Sequence, residues 1–291
     1  MSVQAARAGV VAVAASQQVL GFSSVTGAWV AHGASGLTHS DKVVAQGDVV
    51  IVAIKASQQV LGFSAVTGAW TAQGAGGLTN ADEVAAGGSV GVVSVAASQQ
   101  VLAFRASTGV WVVHGAGGVT SADKVASKGN VAIVAVKASQ QVLGFSAVTG
   151  AWTTHSAGGV SNTDQVAAGN NVGAVSVAAS QQVLGFRAST GVWVAHGAGG
   201  VTAADKLVSD GDVAIAAVKA SQQVLGFSAA TGAWSVHGAG GLQNTDRAAA
   251  GEDMGLVGVS ASQQVLAYVG ATGVWIPHGA GSLNIADILA V

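Results

Sequence analysis

The tripeptide Ser-Gln-Gln begins at Ser16, Ser57, Ser98, Ser139, Ser180, Ser221 and Ser262, always 41 residues apart, and no insertion breaks the step. A period of this length marks a propeller or a solenoid, in which each unit buries its apolar faces only against its neighbours. Within one unit the residues divide into four short stretches suited to strands: Asp41 to Gln46 (a), Val49 to Ala56 (b), Gln59 to Ala65 (c) and Ala69 to Gln73 (d). Stretch b reads Val49-Val50-Ile51-Val52-Ala53-Ile54 without the apolar/polar alternation of a half-exposed strand, which predicts cover on both faces. Neighbouring units supply that cover.

An open solenoid needs polar capping units, yet the first and last units keep the apolar pattern of the interior ones. Met1 falls at the unit position just after the recurrent Asp, and Asp287-Ile288-Leu289-Ala290-Val291 runs through the same position, so the two ends overlap in phase by four residues. One end can complete the blade that the other begins, removing an exposed edge strand. The expected fold is all-β: a seven-bladed β-propeller of four-stranded blades, one domain over residues 1–291, its ring closed by the overlapping chain termini. A second period lies on the first, because Lys55, Lys137 and Lys219 precede Ala-Ser-Gln-Gln only in even units. Seven blades cannot alternate perfectly, so two odd units meet at the seam, where Tyr268, Val269 and Pro277 depart from the pattern.

Composition agrees with this class and removes several functions. Forty-three glycines, a single proline and abundant Val and Ala suit short strands joined by tight turns. Charged residues are 8% of the chain and the net charge is −2, with no cluster of Lys and Arg to attract nucleic acid or an anionic membrane surface. There is no cysteine, hence no disulfide, thiolate nucleophile or thiolate metal ligand. Arg7 and the run Gly9 to Ala15 imitate a signal peptide, but Gly91 to Ala97 repeats that run in the same register, so it is expected to be a retained strand and synthesis to be cytoplasmic, the final location staying open. No apolar run is long enough for a membrane-spanning helix, so no membrane insertion is expected.

The segment Phe63-Ser64-Ala65-Val66-Thr67-Gly68-Ala69-Trp70, which recurs in all seven units, resembles the kelch blade, whose third and fourth strands read Tyr-Asp-Pro-x-Thr-x-x-Trp. That resemblance implies that stretch d is the outer strand. Trp111-Val112-Val113-His114-Gly115-Ala116-Gly117-Gly118-Val119-Thr120-Ser121 is similar to the Trp, Gly-Gly, Leu-Thr-Ser pattern of bacterial seven-bladed propeller lectins, which implies carbohydrate binding. Kelch-like propellers also include copper radical oxidases, but their chemistry requires a cysteine-linked tyrosine, and this chain has no Cys and only Tyr268.

Three residue rings are candidates for function. Trp29, Trp70, Trp111, Trp152, Trp193, Trp234 and Trp275 share one position in stretch d, where they serve either as packing or as stacking platforms for sugar rings. His32, His114, His155, His196, His237 and His278 follow three residues later, with Gln73 in unit two, and alternation places them on the face opposite their own Trp. Blades about 10 Å apart cannot share a metal with bonds near 2.1 Å, so the His are expected to bond the loop backbone or a polar ligand, without a metal or cofactor. Asp41, Asp82, Asp123, Asp164, Asp205, Asp246 and Asp287 either accept turn amides or form a carboxylate ring at one channel mouth, which Lys42, Lys124, Lys206 and Arg247 would blunt. The Gly-rich loops lack the strand-to-helix setting and the Lys of a phosphate loop, and no unit breaks the symmetry with an acid, a base and a nucleophile together. The expected function is a non-enzymatic, multivalent lectin with sites between blades, its copies gaining avidity for a repetitive glycan. The alternative is a structural scaffold that binds proteins or assembles with itself through a low-charge surface.

Overall fold

The computed structural model describes residues 7–284, 287 and 289–291. Its strands form seven antiparallel sheets in series along the chain, one per repeat. In blade 2 the strands are Lys42–Gln46 (a), Val49–Ile54 (b), Gln59–Ser64 (c) and Ala69–Gly74 (d), hydrogen-bonded in the order a-b-c-d. Blades 3 to 7 repeat this order and register, which makes the chain a seven-bladed β-propeller. Strand b stops at Ile54, two residues short of the expected end, because the chain turns over Lys55 to Gln58 with Gln58 in the left-handed region, φ 55°.

Strand a packs on strand a of the next blade, so the a strands line the central channel and the d strands form the outer edges. All six residues of strand b in blade 2 are buried, as its unbroken apolar run requires. The core lies between blades: Val49 and Ile51 of blade 2 pack with Phe104 and Trp111 of blade 3, and the same mixture recurs along the chain. At roughly 25 cal/mol per Å² of apolar surface removed from water, these inter-blade cores are the main stabilising contribution.

A second tie runs around one channel mouth, where the a–b turns meet. Asp48 N–H donates to Gly88 O at 2.7 Å, Ser89 to Gly129 O at 2.7 Å, Asn130 to Asn170 O at 2.7 Å and Asn171 to Gly211 O at 2.9 Å. Asn130 Nδ2 also donates to Asn171 Oδ1 at 2.8 Å, turning the backbone ladder into a side-chain one. The turns approach so closely that a Cβ on Gly129, which has φ 52°, would lie 2.3 Å from Asn170 Cα. The Lys128–Asp210 ion pair, 2.7 Å, links blades 4 and 6 over the same mouth and adds little because it is solvated.

Blade 1 shows strands b, c and d, Ala8–Val13, Gln18–Ser23 and Ala28–Gly33, and the segment that imitates a signal peptide is strand b of this blade. Its expected completion by the overlapping ends falls on residues 1–6, 285, 286 and 288, outside the described residues. The described part of the C-terminus lies where the next blade's strand a would be. A Cβ on Gly251 of blade 7 would meet Val291 Cβ at 3.1 Å, as one on the equivalent Gly87 would meet Lys128 of the following blade. Among the described residues no helix is long and apolar enough to cross a membrane.

Candidate inter-blade site

Six of the seven tryptophans are bridges to the preceding blade. Trp70 sits on strand d opposite Phe63, and the two rings pack at 5.1 Å. Its indole Nε1–H donates to Val30 O of blade 1 at 2.9 Å. The same bond joins Trp111 to Thr71 O, Trp152 to Val112 O, Trp193 to Thr153 O, Trp234 to Val194 O and Trp275 to Ser235 O, at 3.0 to 3.1 Å. An outer strand would otherwise present this carbonyl to solvent as an unpaired edge group, so the bond also protects the edge. Trp111, Trp193 and Trp275 are only 8–9% exposed and Trp70, Trp152 and Trp234 are half-buried, whereas Trp29 is 56% exposed.

The histidines do lie on the face opposite their own Trp, and four of the six look at the Trp of the next blade. His32 meets Trp70 at 6.2 Å between ring centroids, His114 meets Trp152 at 6.2 Å, His155 meets Trp193 at 6.5 Å and His237 meets Trp275 at 6.4 Å. His196 is half-buried and His278 exposed, while Gln73 donates to Gly74 O. His114 Nε2 shares a hydrogen bond with Thr154 Oγ1 of the next blade at 3.3 Å. The structure thus brings Trp and His together across each such cleft, with Trp forming its floor and His its half-exposed rim.

The aspartates point into turns. Asp82, 1% exposed, accepts Thr79 N–H at 2.6 Å and Ala96 N–H at 3.0 Å, clamping the Gly-rich loop to the end of strand b. Asp41, Asp123, Asp164, Asp205 and Asp246 make the same two bonds in their own blades, and Asp287 accepts Asn284 N–H. Their oxygens are thereby committed to the backbone. Lys42 and Lys124 reach across to the main-chain carbonyls of Asp82 and Asp164 in the following blades, so they tie blades together. The loops cross closely as well: a Cβ on Gly77, φ 83°, would stand 2.2 Å from Ala97 of the next blade.

The first glutamine of Ser-Gln-Gln is a structural residue that the repeat advertised without revealing its role. Gln17, Gln58, Gln99, Gln140, Gln181, Gln222 and Gln263 all have left-handed φ, between 53° and 56°. Gln58 Oε1 accepts Leu78 N–H at 2.6 Å, and its Nε2 donates to Leu78 O at 3.2 Å and to Lys55 O. Its side chain satisfies the backbone of the Gly-rich loop, which offsets the cost of a left-handed residue that bears a Cβ. Ser64 Oγ is another such tie, donating to Ala106 O of the next blade at 2.5 Å, as Ser23, Ser146 and Ser228 do in theirs.

Among the described residues no three His, Asp or Glu side chains stand close enough to hold a metal ion. Burial raises the carboxyl of Asp48 at the channel mouth above the usual carboxylate range. Burial also pushes the Tyr268 phenol up to about 12, against the opposing influence of Thr231. Tyr268 takes the place that Phe63, Phe104, Phe145, Phe186 and Phe227 fill elsewhere, and it is fully buried. A phenol with a raised folded-state pKa contributes stability below its ordinary value of 10.0 that is lost as pH rises towards the folded value. We expect a loss of about 2–3 kcal/mol across that window at about 1.4 kcal/mol per unit, absent in Tyr268→Phe. Chemical denaturation of both proteins at pH 8 and pH 12 measures it.

Comparison with known proteins adds little to this geometry. No protein-family model matches the chain, and no curated protein matches its sequence. Among solved structures, the computationally designed Ika8 protein is similar over 96% of this chain and 88% of its own, at 15% identity and a TM-score of 0.39. Hsv2 of Kluyveromyces lactis is similar over 90% of this chain and 91% of its own, at 8% identity and TM-score 0.37. BamB from Moraxella catarrhalis is similar over 93% of this chain and 79% of its own, at 17% identity and TM-score 0.33. None of the three is named as a kelch protein or a lectin, and at these scores the fold rests on the sheets themselves.

Proposed function

We propose that the chain is a non-enzymatic binding protein of the scaffold kind, acting through protein–protein contact. The observation that carries this reading is a ring of exposed valines, three in the c–d turns and three at the first residue of strand d, on the same end as the a–b turns. Val25, Val66, Val110, Val148, Val192 and Val274, one in each of six blades, are 43–58% exposed, and only blade 6 has alanines there, Ala230 and Ala233. Repeated apolar side chains on one face, in a chain with 8% charged residues, suit a protein surface better than a polar small molecule. The tryptophans favour the same conclusion, since six of seven spend their only polar hydrogen on a neighbouring blade.

A glycan lectin is the second reading, supported by the half-exposed His rims beside Gly-rich loops; there Trp and His would contact sugar at each cleft. The valine ring is tested by replacing Val66, Val110, Val148 and Val192 with Asp. Retention on a hydrophobic-interaction column is expected to fall sharply while thermal stability stays within about 1 kcal/mol, as surface substitutions ordinarily do. Unchanged retention would remove the ring as a contact face.

A further inference from the structure

Consecutive blades, from 1 to 7, meet through a common interface. The later blade contributes a Trp whose N–H enters the earlier blade, and the earlier blade contributes the accepting carbonyl and, in most, a His beside it. Among the described residues, the outer parts of the corresponding faces of blade 7 and blade 1 are exposed. On blade 1, Trp29 is 56% exposed and Val11 is 46% exposed. On blade 7, Ile276, which holds the position whose carbonyl accepts the Trp elsewhere, is 54% exposed, and His278 is exposed beside it. The clamp is missing too, because Val269 stands where Ser23, Ser64, Ser146 and Ser228, or Arg105 and Arg187, reach a carbonyl of the next blade.

We propose that these two faces bind each other between copies of the chain, Trp29 of one copy seating against Ile276 and His278 of a second. The six internal junctions identify the occupant: the surface that covers a blade 7 face is a blade 1 face, and a second copy carries one. Within the chain the outer parts of these faces stay exposed, while the inner part of the blade 7 face is taken by Val291 against Gly251. The contact is heterologous, so a dimer keeps one free blade 1 face and one free blade 7 face, on different copies, and assembly continues head to tail unless it closes into a ring. This deepens the scaffold reading by naming a partner, but it uses the seam and not the valine ring, so the two can fail separately.

Sedimentation velocity of the full chain over a wide concentration range tests it. The wild-type mass is expected to rise with concentration. Trp29→Ala breaks only the blade 1 face and Ile276→Asp only the blade 7 face, and each is expected to weaken self-association at least about tenfold, as loss of a central aromatic or apolar anchor does. Both residues are exposed, so the variants keep their fold. An equimolar mixture of the two variants retains one intact pair of faces and is expected to form a dimer and stop there. A wild type that stays monomeric throughout, because its own faces close on each other, would overturn the proposal. So would variants that associate as the wild type does, or a mixture that forms no dimer. The valine-to-aspartate variant is expected to assemble normally through the seam.

Discussion

Replacing Trp193 by alanine is expected to destabilise the protein by about 3–5 kcal/mol, the range for deleting a large buried aromatic. The same substitution at Trp29 is expected to cost less than about 1 kcal/mol. The two residues occupy the same position in the repeat, so sequence alone assigns them one role. Trp193 is 9% exposed, packs on Phe186 at 5.1 Å and bonds Thr153 O at 3.1 Å, whereas Trp29 is 56% exposed. Urea denaturation of the two variants measures the difference. Equal losses would mean that Trp29 is as deeply packed as the others and that the seam is an ordinary junction.

The second large effect is expected at Asp164. Its carboxylate, 1% exposed, accepts Ser161 N–H at 2.7 Å and Ala178 N–H at 3.0 Å. Alanine there leaves two backbone donors without partners and frees the loop between strands d and a from strand b, at a cost of about 2–4 kcal/mol. Hydrogen exchange should show the loss first at Ser161 and Ala178. An Asp164→Ala protein as stable as wild type would return these carboxylates to consideration as a cation-binding ring.

The blades and their order were legible in the sequence because the step of 41 residues and the unbroken apolar run of strand b each permit few alternatives. The four strand positions followed from the same reasoning, and the error of two residues at the end of strand b came from Gln58, since no propensity rule expects a glutamine to take φ 55°. The kelch-like placement of strand d at the outer edge agrees with the observed order. Alternation along strand d correctly separated His from its own Trp, but it could not say that His32, His114, His155 and His237 would face the Trp of the next blade, because that contact lies between units. The Trp ring was ambiguous for a related reason. A residue repeated at one position looks equally suited to packing and to a multivalent ligand until the partner of its N–H is seen. The difference between the seam and the other junctions was visible only as Val269, Tyr268 and Pro277, and the exposure of Trp29 and Ile276 gives those departures a place.

Six of the seven tryptophans hold blades together through their indole N–H groups, and the scaffold reading expects them not to bind sugar. Intrinsic tryptophan fluorescence, titrated with a panel of neutral mono- and oligosaccharides, tests it most directly, since the seven indoles dominate the signal. The account predicts a spectrum that does not respond to any sugar, with a blue-shifted majority from buried indoles and a red-emitting contribution removed by Trp29→Ala. A saturable shift with several equivalents of sugar per chain would contradict it and restore the clefts between blades as carbohydrate sites.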